Sequence, residues 1–323
     1  MATVTWTGAV STTYSTDGNW DTGSKPTSSD DVIIANVTND CVLTGSPTVN
    51  SWTVQSGARF NGNTETITVV GENSSGFAID IDGEVVGTTT NFTVETPAAT
   101  NIDLKATSGN VRHVTINHAS CAAAIAGGFM TITGNLTITA GSLNTGGNDL
   151  TVAGALANDG TLTLNGSTVN LGSTSTEAGD VTGAGTFNLD TSTINYHTAG
   201  GANFIPSTSA NFDTNTSTLN LIGLNGSNRA HNFTFASGNM HNITTSRGAG
   251  TDTHTDTLNG NCTITGNLTV GANSNFSTGT RVFTVNGDVD VTGQLISNGS
   301  DKPMTFGGIR INSGGTYNAT SGT

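Results

Sequence analysis

The chain has 323 residues, of which 33% are hydrophobic and only 10% charged, with 43 glycines, 5 prolines and a formal net charge of −14. Helix-forming Lys, Glu, Gln, Met and Arg are scarce, which excludes long helices, and the wealth of β-branched Thr, Val and Ile with so little charge argues against a disordered chain. Only nine residues are Lys or Arg; Lys25, Lys105 and Lys302 lie far apart, and Arg229, Arg247, Arg281 and Arg310 are equally scattered. A phosphate backbone needs clustered cations, so no nucleic-acid partner is expected.

The N-terminus, Met1-Ala2-Thr3-Val4-Thr5-Trp6, has neither a basic stretch nor an apolar core of the kind that makes a secretory signal. The composition nevertheless suits an exposed, extracellular surface, and release inside a virion reconciles the two. Residues 1–55 hold all three tryptophans, Trp6, Trp20 and Trp52, together with Tyr14, Pro26 and Pro47. They are predicted to form a capping or docking module. An aromatic-rich cap would cover the strand edges that the end of a stacked fold exposes, and the competing expectation is an indole platform for a ligand or partner.

Residues 56–323 are predicted to be a parallel β-solenoid, an all-β fold. Near its start, Asp80, Asp82 and Glu84 alternate in Ile79-Asp80-Ile81-Asp82-Gly83-Glu84. Period-two spacing puts Asp80 and Asp82 on one strand face, a pairing used for glycoside hydrolysis or calcium binding, although an exposed strand face running into a turn is the simpler expectation. Cys41, Cys121 and Cys262 are odd in number and widely spaced, so neither a disulfide framework nor a zinc site is indicated. The histidines at 113, 118, 197, 231, 241 and 254 lack metal-binding spacing, and those at 113, 231 and 241 hold like places before a strand, which predicts a structural corner role. No cofactor or metal is expected. Gly146-Gly147-Asn148-Asp149 reads as a turn.

The repeat is clearest at Ser167-Thr-Val-Asn-Leu171, Ser192-Thr-Ile-Asn-Tyr196 and Ser217-Thr-Leu-Asn-Leu221, a period of 25 residues. A longer echo joins Met130-Thr-Ile-Thr-Gly-Asn-Leu-Thr-Ile138 to Cys262-Thr-Ile-Thr-Gly-Asn-Leu-Thr-Val270, and predicts two related runs near 113–171 and 241–296. In these segments Ile132, Leu136 and Ile138 alternate with Thr131, Thr133 and Thr137. A strand of that pattern buries its apolar face only by stacking on neighbouring coils, which predicts about three short strands per coil and roughly a dozen coils in a rod of about 60 Å at a spacing of ~4.8 Å. Asp288 and Asp290, in Gly287-Asp-Val-Asp-Val291, repeat the acidic alternation in isolation. No apolar run is long enough to span a bilayer, so no membrane insertion is expected.

Thr5-Trp6-Thr7-Gly8, Gly18-Asn19-Trp20, Pro26 and Asp30-Asp31-Val32-Ile33-Ile34 resemble a leading module found ahead of β-helix domains in phage virion proteins and bacterial surface adhesins. His231-Asn-Phe-Thr-Phe235 and Ile264-Thr-Gly-Asn-Leu-Thr-Val270 are similar to the repeats of the same broad group. The resemblance implies a β-helix in a structural or attachment role, homo-oligomeric with a trimer favoured, and carries no catalytic residues. The function expected first is thus a structural protein on the outer surface of a bacteriophage virion, as a capsid decoration, tail spike or fibre, with other capsid or tail proteins and a host surface glycan as partners. A bacterial cell-surface adhesin fragment is the second expectation. A polysaccharide-degrading β-helix enzyme is the third, disfavoured because the cations and exposed aromatics that would hold a uronic sugar are sparse.

Overall fold

The computed structural model describes residues 1–87, 89–104, 111–173, 178–198, 203–204, 212–213, 216–224, 230–233, 239–248, 253–298 and 304–320. The chain is a parallel β-solenoid of about 11 turns, 56% strand, with coils of roughly 22 residues. It divides into two compact units, one of residues 1–151 with 160–162, the other of 152–159 with 163–323. Among the described residues, no helix is long and apolar enough to cross a membrane.

In the first unit one face is built from Thr3–Trp6, Asp31–Ile34, Ser51–Val54, Phe77–Ile81 and Ala99–Asp103, each hydrogen-bonded in parallel to the next. A second face stacks Thr48–Val49, Thr66–Val69 and Thr90–Val94, and a third stacks Cys41–Val42, Arg59–Asn61 and Glu84–Val86. The long strand Val111–Ile125 serves two faces, pairing with Thr90–Val94 through its first half and with Ala99–Asp103 through its second. Alternation decides what goes inside. Val4, Val32, Trp52, Ile79 and Ile102 stack as register partners and are all buried, whereas Thr48, Thr68, Thr93, Thr115 and Thr137 form the outward column.

The parallel ladder begins at Thr3 and runs through residue 55 without a change of pairing, so the segment 1–55 contains the first three rungs of one face as well as the aromatic cover. That cover is the stretch from Thr7 to Trp20. Thr7 and Gly8 donate their amides to the Asn19 carbonyl, the Tyr14 amide donates to the Val42 carbonyl and the Val42 amide to that of Thr12, and Trp6 bridges Trp20 antiparallel. The buried Asn19 side chain accepts from the Val10 and Ser11 amides and donates to Ser11 Oγ and the Thr13 carbonyl, so every polar atom of its amide is used.

In the second unit Thr168–Leu171, Thr193–Thr198, Thr218–Gly223, Asn242–Arg247, Leu268–Val270, Phe283–Val291 and Met304–Ile311 stack in parallel, and Ala230–Phe233, His254–Leu258, Ser274–Ser277, Gln294–Asn298 and Thr316–Thr320 form a further face. The 25-residue period holds where Thr168, Thr193 and Thr218 are register partners. It is not uniform: the partners Leu268, Val289 and Ile309 shorten the step to 21 and then 20 residues. Only the strand-to-strand stacking is fixed by the hydrogen-bond ladder, and the corners between strands absorb the difference in length. Met130 and Cys262, equivalent in the two related runs, are both buried core residues, as their interchange in the sequence implies.

Candidate functional site

Among the described residues, four constellations bring polar or aromatic groups together. The first is the aromatic cluster of the N-terminal cover. Trp6, Trp20, Tyr14, Trp52 and Phe60 form a chain of ring contacts with centroids 5.1 to 6.1 Å apart. Trp6 and Trp52 are fully buried and Trp20 is 2% exposed, so their faces are closed to a ligand and the indoles act as packing. Trp6 Nε1 donates to the Asn39 carbonyl at 2.8 Å and Trp20 Nε1 to that of Tyr14 at 3.0 Å, whereas Trp52 Nε1 has no hydrogen-bond partner. Burial pushes the Tyr14 phenol up from its ordinary pKa, helped by the nearby Cys41 and Asp30.

The second constellation is acidic. Asp80 and Asp103 are register partners on adjacent strands, and Asp82 follows Asp80 along the same face. One carboxylate oxygen from each lies within 4.8 Å of the others. Asp103 is 3% exposed, and Gly127 leaves room for it, because a Cβ there would fall 2.4 Å from Asp103 Oδ1. Of the three acids singled out in the sequence, Asp80 and Asp82 thus meet, and Asp103, one coil later, joins them. Glu84 points elsewhere: it accepts from Arg59 Nε at 2.8 Å, and Arg59 also reaches Asp40 at 3.2 Å. One converging oxygen from each makes three ligand atoms, fewer than the six to eight oxygens that calcium takes. Asp290, in the other acidic alternation, faces Arg310 at 3.6 Å.

The third is a surface pocket of about 230 Å³ in the first unit, lined by Tyr14, Ser15, Lys25, Pro26 and the turn from Thr44 to Thr48. Thr44 Oγ1 donates to Ser15 Oγ at 3.0 Å, and Ser46 Oγ donates to Glu65 Oε2 at 2.8 Å while accepting the Thr66 amide at 3.1 Å. The Lys25 amide donates to Asp17 Oδ1 at 3.0 Å, which fixes the backbone beneath the ammonium. No single motif marks these residues, and the signal available in the sequence was the coincidence of Pro26 and Pro47 with a hydroxyl-rich turn.

The fourth is buried in the second unit. His254 Nε2 lies 2.8 Å from Asp256 Oδ1, and Thr245 Oγ1 donates to Asp256 Oδ2 at 2.5 Å, with all three residues essentially inaccessible. His254, Asp256 and Leu258 alternate inward on one strand, which places a polar pair in an otherwise apolar column. Gly223 makes the space, since a Cβ there would meet the His254 ring at 2.6 Å.

The corner role expected of the histidines has a geometric basis at two of them. His113 Nδ1 accepts the Asn135 amide at 2.9 Å, and His241 Nδ1 lies 3.1 Å from Thr265 Oγ1, each against the Thr-Gly-Asn turn of the following coil. The side chain of His231, like the side chains of Lys105, Arg229 and Lys302, lies outside the described residues. Gly146 and Gly147 adopt φ of 62° and 84°, and Asn144 Oδ1 accepts the Gly146 amide, so the Gly-Gly-Asn-Asp stretch is a turn. The three thiols are buried, and desolvation pushes Cys41 and Cys121 up and Cys262 up to about 12. What stands on these observations is the parallel β-solenoid. No family model, curated protein or solved structure matches the chain.

Proposed function

We propose that the chain is a structural and attachment component on the outer surface of a bacteriophage-type particle, a capsid decoration, tail spike or fibre, in contact with other particle proteins and a host surface glycan. The observation that carries this reading is the chemistry of the ladder. In each unit backbone hydrogen bonds join coil to coil, and one outward column is neutral: Thr48, Thr68, Thr93, Thr115 and Thr137 in one, Asn170, Asn195 and Asn220 in the other. Such columns are hydrated and uncharged over a scaffold that nearest-neighbour stacking stiffens, which suits a load-bearing or presenting element. The repeat resemblance adds a homotrimer as the expected assembly.

Mass spectrometry of purified particles, with immunogold labelling of intact ones, tests the location. The chain should be present in stoichiometric amounts and labelled on the outside, and its absence from the particles would sink the proposal. Recovery in a cell-wall fraction instead would favour an adhesin. Loss of viscosity of a host polysaccharide, abolished by Asp80→Ala or Asp82→Ala, would make the protein an enzyme. Light scattering after size exclusion reads the assembly, three chains being the expected result.

A further inference from the structure

We propose that the pocket beside Tyr14 is a subsite for one carboxylate-bearing sugar ring. At about 230 Å³ it falls below the roughly 300–1,000 Å³ of sites for drug-sized ligands and has room for one small ring. Its lining combines two features that seldom meet on this chain. One is a cation: Lys25 is exposed, and its ammonium has no ion-pair partner among the described residues, in a protein whose net charge is −14. The other is a set of positioned hydroxyls. Because Thr44 Oγ1 donates to Ser15 Oγ, the Ser15 hydroxyl proton is left to donate outward, and Ser46 is held between Glu65 and the Thr66 amide. Pro26 and Pro47 supply apolar C–H walls, which suit the faces of a pyranose ring.

The charge count narrows the ligand. A single ammonium matches a single negative charge such as one carboxylate carries, whereas a phosphate monoester, with about −1.5 to −2, calls for more positive charge. Asp17 and Glu65 bond two of the lining residues, the Lys25 amide and Ser46, and with the net charge they repel a polyanion. The fitting ligand is therefore an isolated acidic sugar within an otherwise neutral glycan, a uronic acid being the simplest. This assignment deepens the attachment reading and rests on it only for the origin of the glycan.

The test is titration calorimetry of the full chain with methyl glucuronoside, its carboxyl methyl ester and methyl glucoside. Wild-type protein should bind the free acid on the order of tenfold more tightly than the ester or the neutral sugar, as one charge-assisted contact implies. Lys25→Gln should abolish that preference, and its exposed position leaves folding untouched. Ser15→Ala, which removes the hydroxyl proton left to donate into the pocket, should weaken binding of all three sugars. Equal affinity for acid and ester, no measurable binding of the acid, or unchanged binding in both variants would overturn the assignment. Uronate binding by a chain that proves absent from particles would keep the subsite and remove the virion role. A chain present on particles that binds no uronate would do the reverse.

Discussion

The side-chain amide of Asn220 donates to Oδ1 of Asn195 at 2.8 Å, and Asn195 donates in turn to Oδ1 of Asn170 at 2.9 Å, so three coils are tied through one column of amides. Asn195→Ala breaks both bonds and strands an acceptor on one side and a donor on the other. Because the column is only partly buried, the cost should be about 1–2 kcal/mol, near the net worth of one or two hydrogen bonds. Urea denaturation of the variant gives the figure, and a stability equal to wild type would show the ladder to be incidental.

Trp6 and Trp52 are equally buried but differ at the indole nitrogen. Trp6→Phe leaves the part-buried Asn39 carbonyl without its donor, and losing such a bond costs about 0.5–1.5 kcal/mol. Trp52→Phe removes a donor that already lacks a partner, which offsets part of the lost packing. Trp6→Phe should be the more destabilising by about 1 kcal/mol. Matched denaturation curves for the two variants test this, and a reversed order would refute the assignment of the Trp6 hydrogen bond.

The thiols should be silent in the folded protein. Cys41, Cys121 and Cys262 are buried and their ionisation is displaced upward by desolvation, so at pH 8 none is an accessible thiolate. A disulfide reagent should release no more than trace product from native protein and three equivalents after unfolding. Stoichiometric native labelling would contradict the burial.

Two histidines predict a pH dependence of definite sign. Burial, and for His113 the neighbouring Arg112, lowers the imidazole pKa of His113; burial also lowers that of His197, partly countered by the Leu171 carbonyl. A base with a depressed folded pKa takes up its proton more readily when unfolded. Its contribution is therefore complete above about 6.5 and is lost as pH falls from there towards the folded value. His113 adds a geometric reason, since protonating Nδ1 would forfeit the acceptor for the Asn135 amide. NMR titration should place both imidazole midpoints below 6.5, and the thermal midpoint should fall between pH 7 and 5.5. Midpoints at or above 6.5 would negate both.

The parallel stacking and the inward identity of Ile, Leu, Val and Phe were legible from alternation alone, because period-two patterning has one physical reading once a repeat shows that neighbours supply the cover. The repeat length was legible only where Ser167, Ser192 and Ser217 preserve it. Elsewhere the corners vary and leave no fixed spacing to find. For the same reason Asp103 could not be joined to Asp80: they meet because that particular coil is 23 residues long, a number set by its corners. The Thr245, Asp256 and His254 cluster was hidden differently. On the pattern alone an inward His or Asp reads as an outward polar residue with the register slipped by one, and only the flanking Leu258 and the small Gly223 tell otherwise.

Because each rung pairs with the rung one coil away, paired strand residues lie between 19 and 28 positions apart in the sequence, as at Cys41 with Phe60 and Thr3 with Asp31. The entropy of closing such loops depends on the logarithm of their length, so the longest and shortest differ by only about 0.3 kcal/mol. Folding each additional coil therefore costs nearly the same whatever its corner holds, and the separation between partners relative to chain length falls as coils are added. A corner can lengthen to present a new side chain, or a whole coil can be duplicated, while the rungs on either side keep their partners.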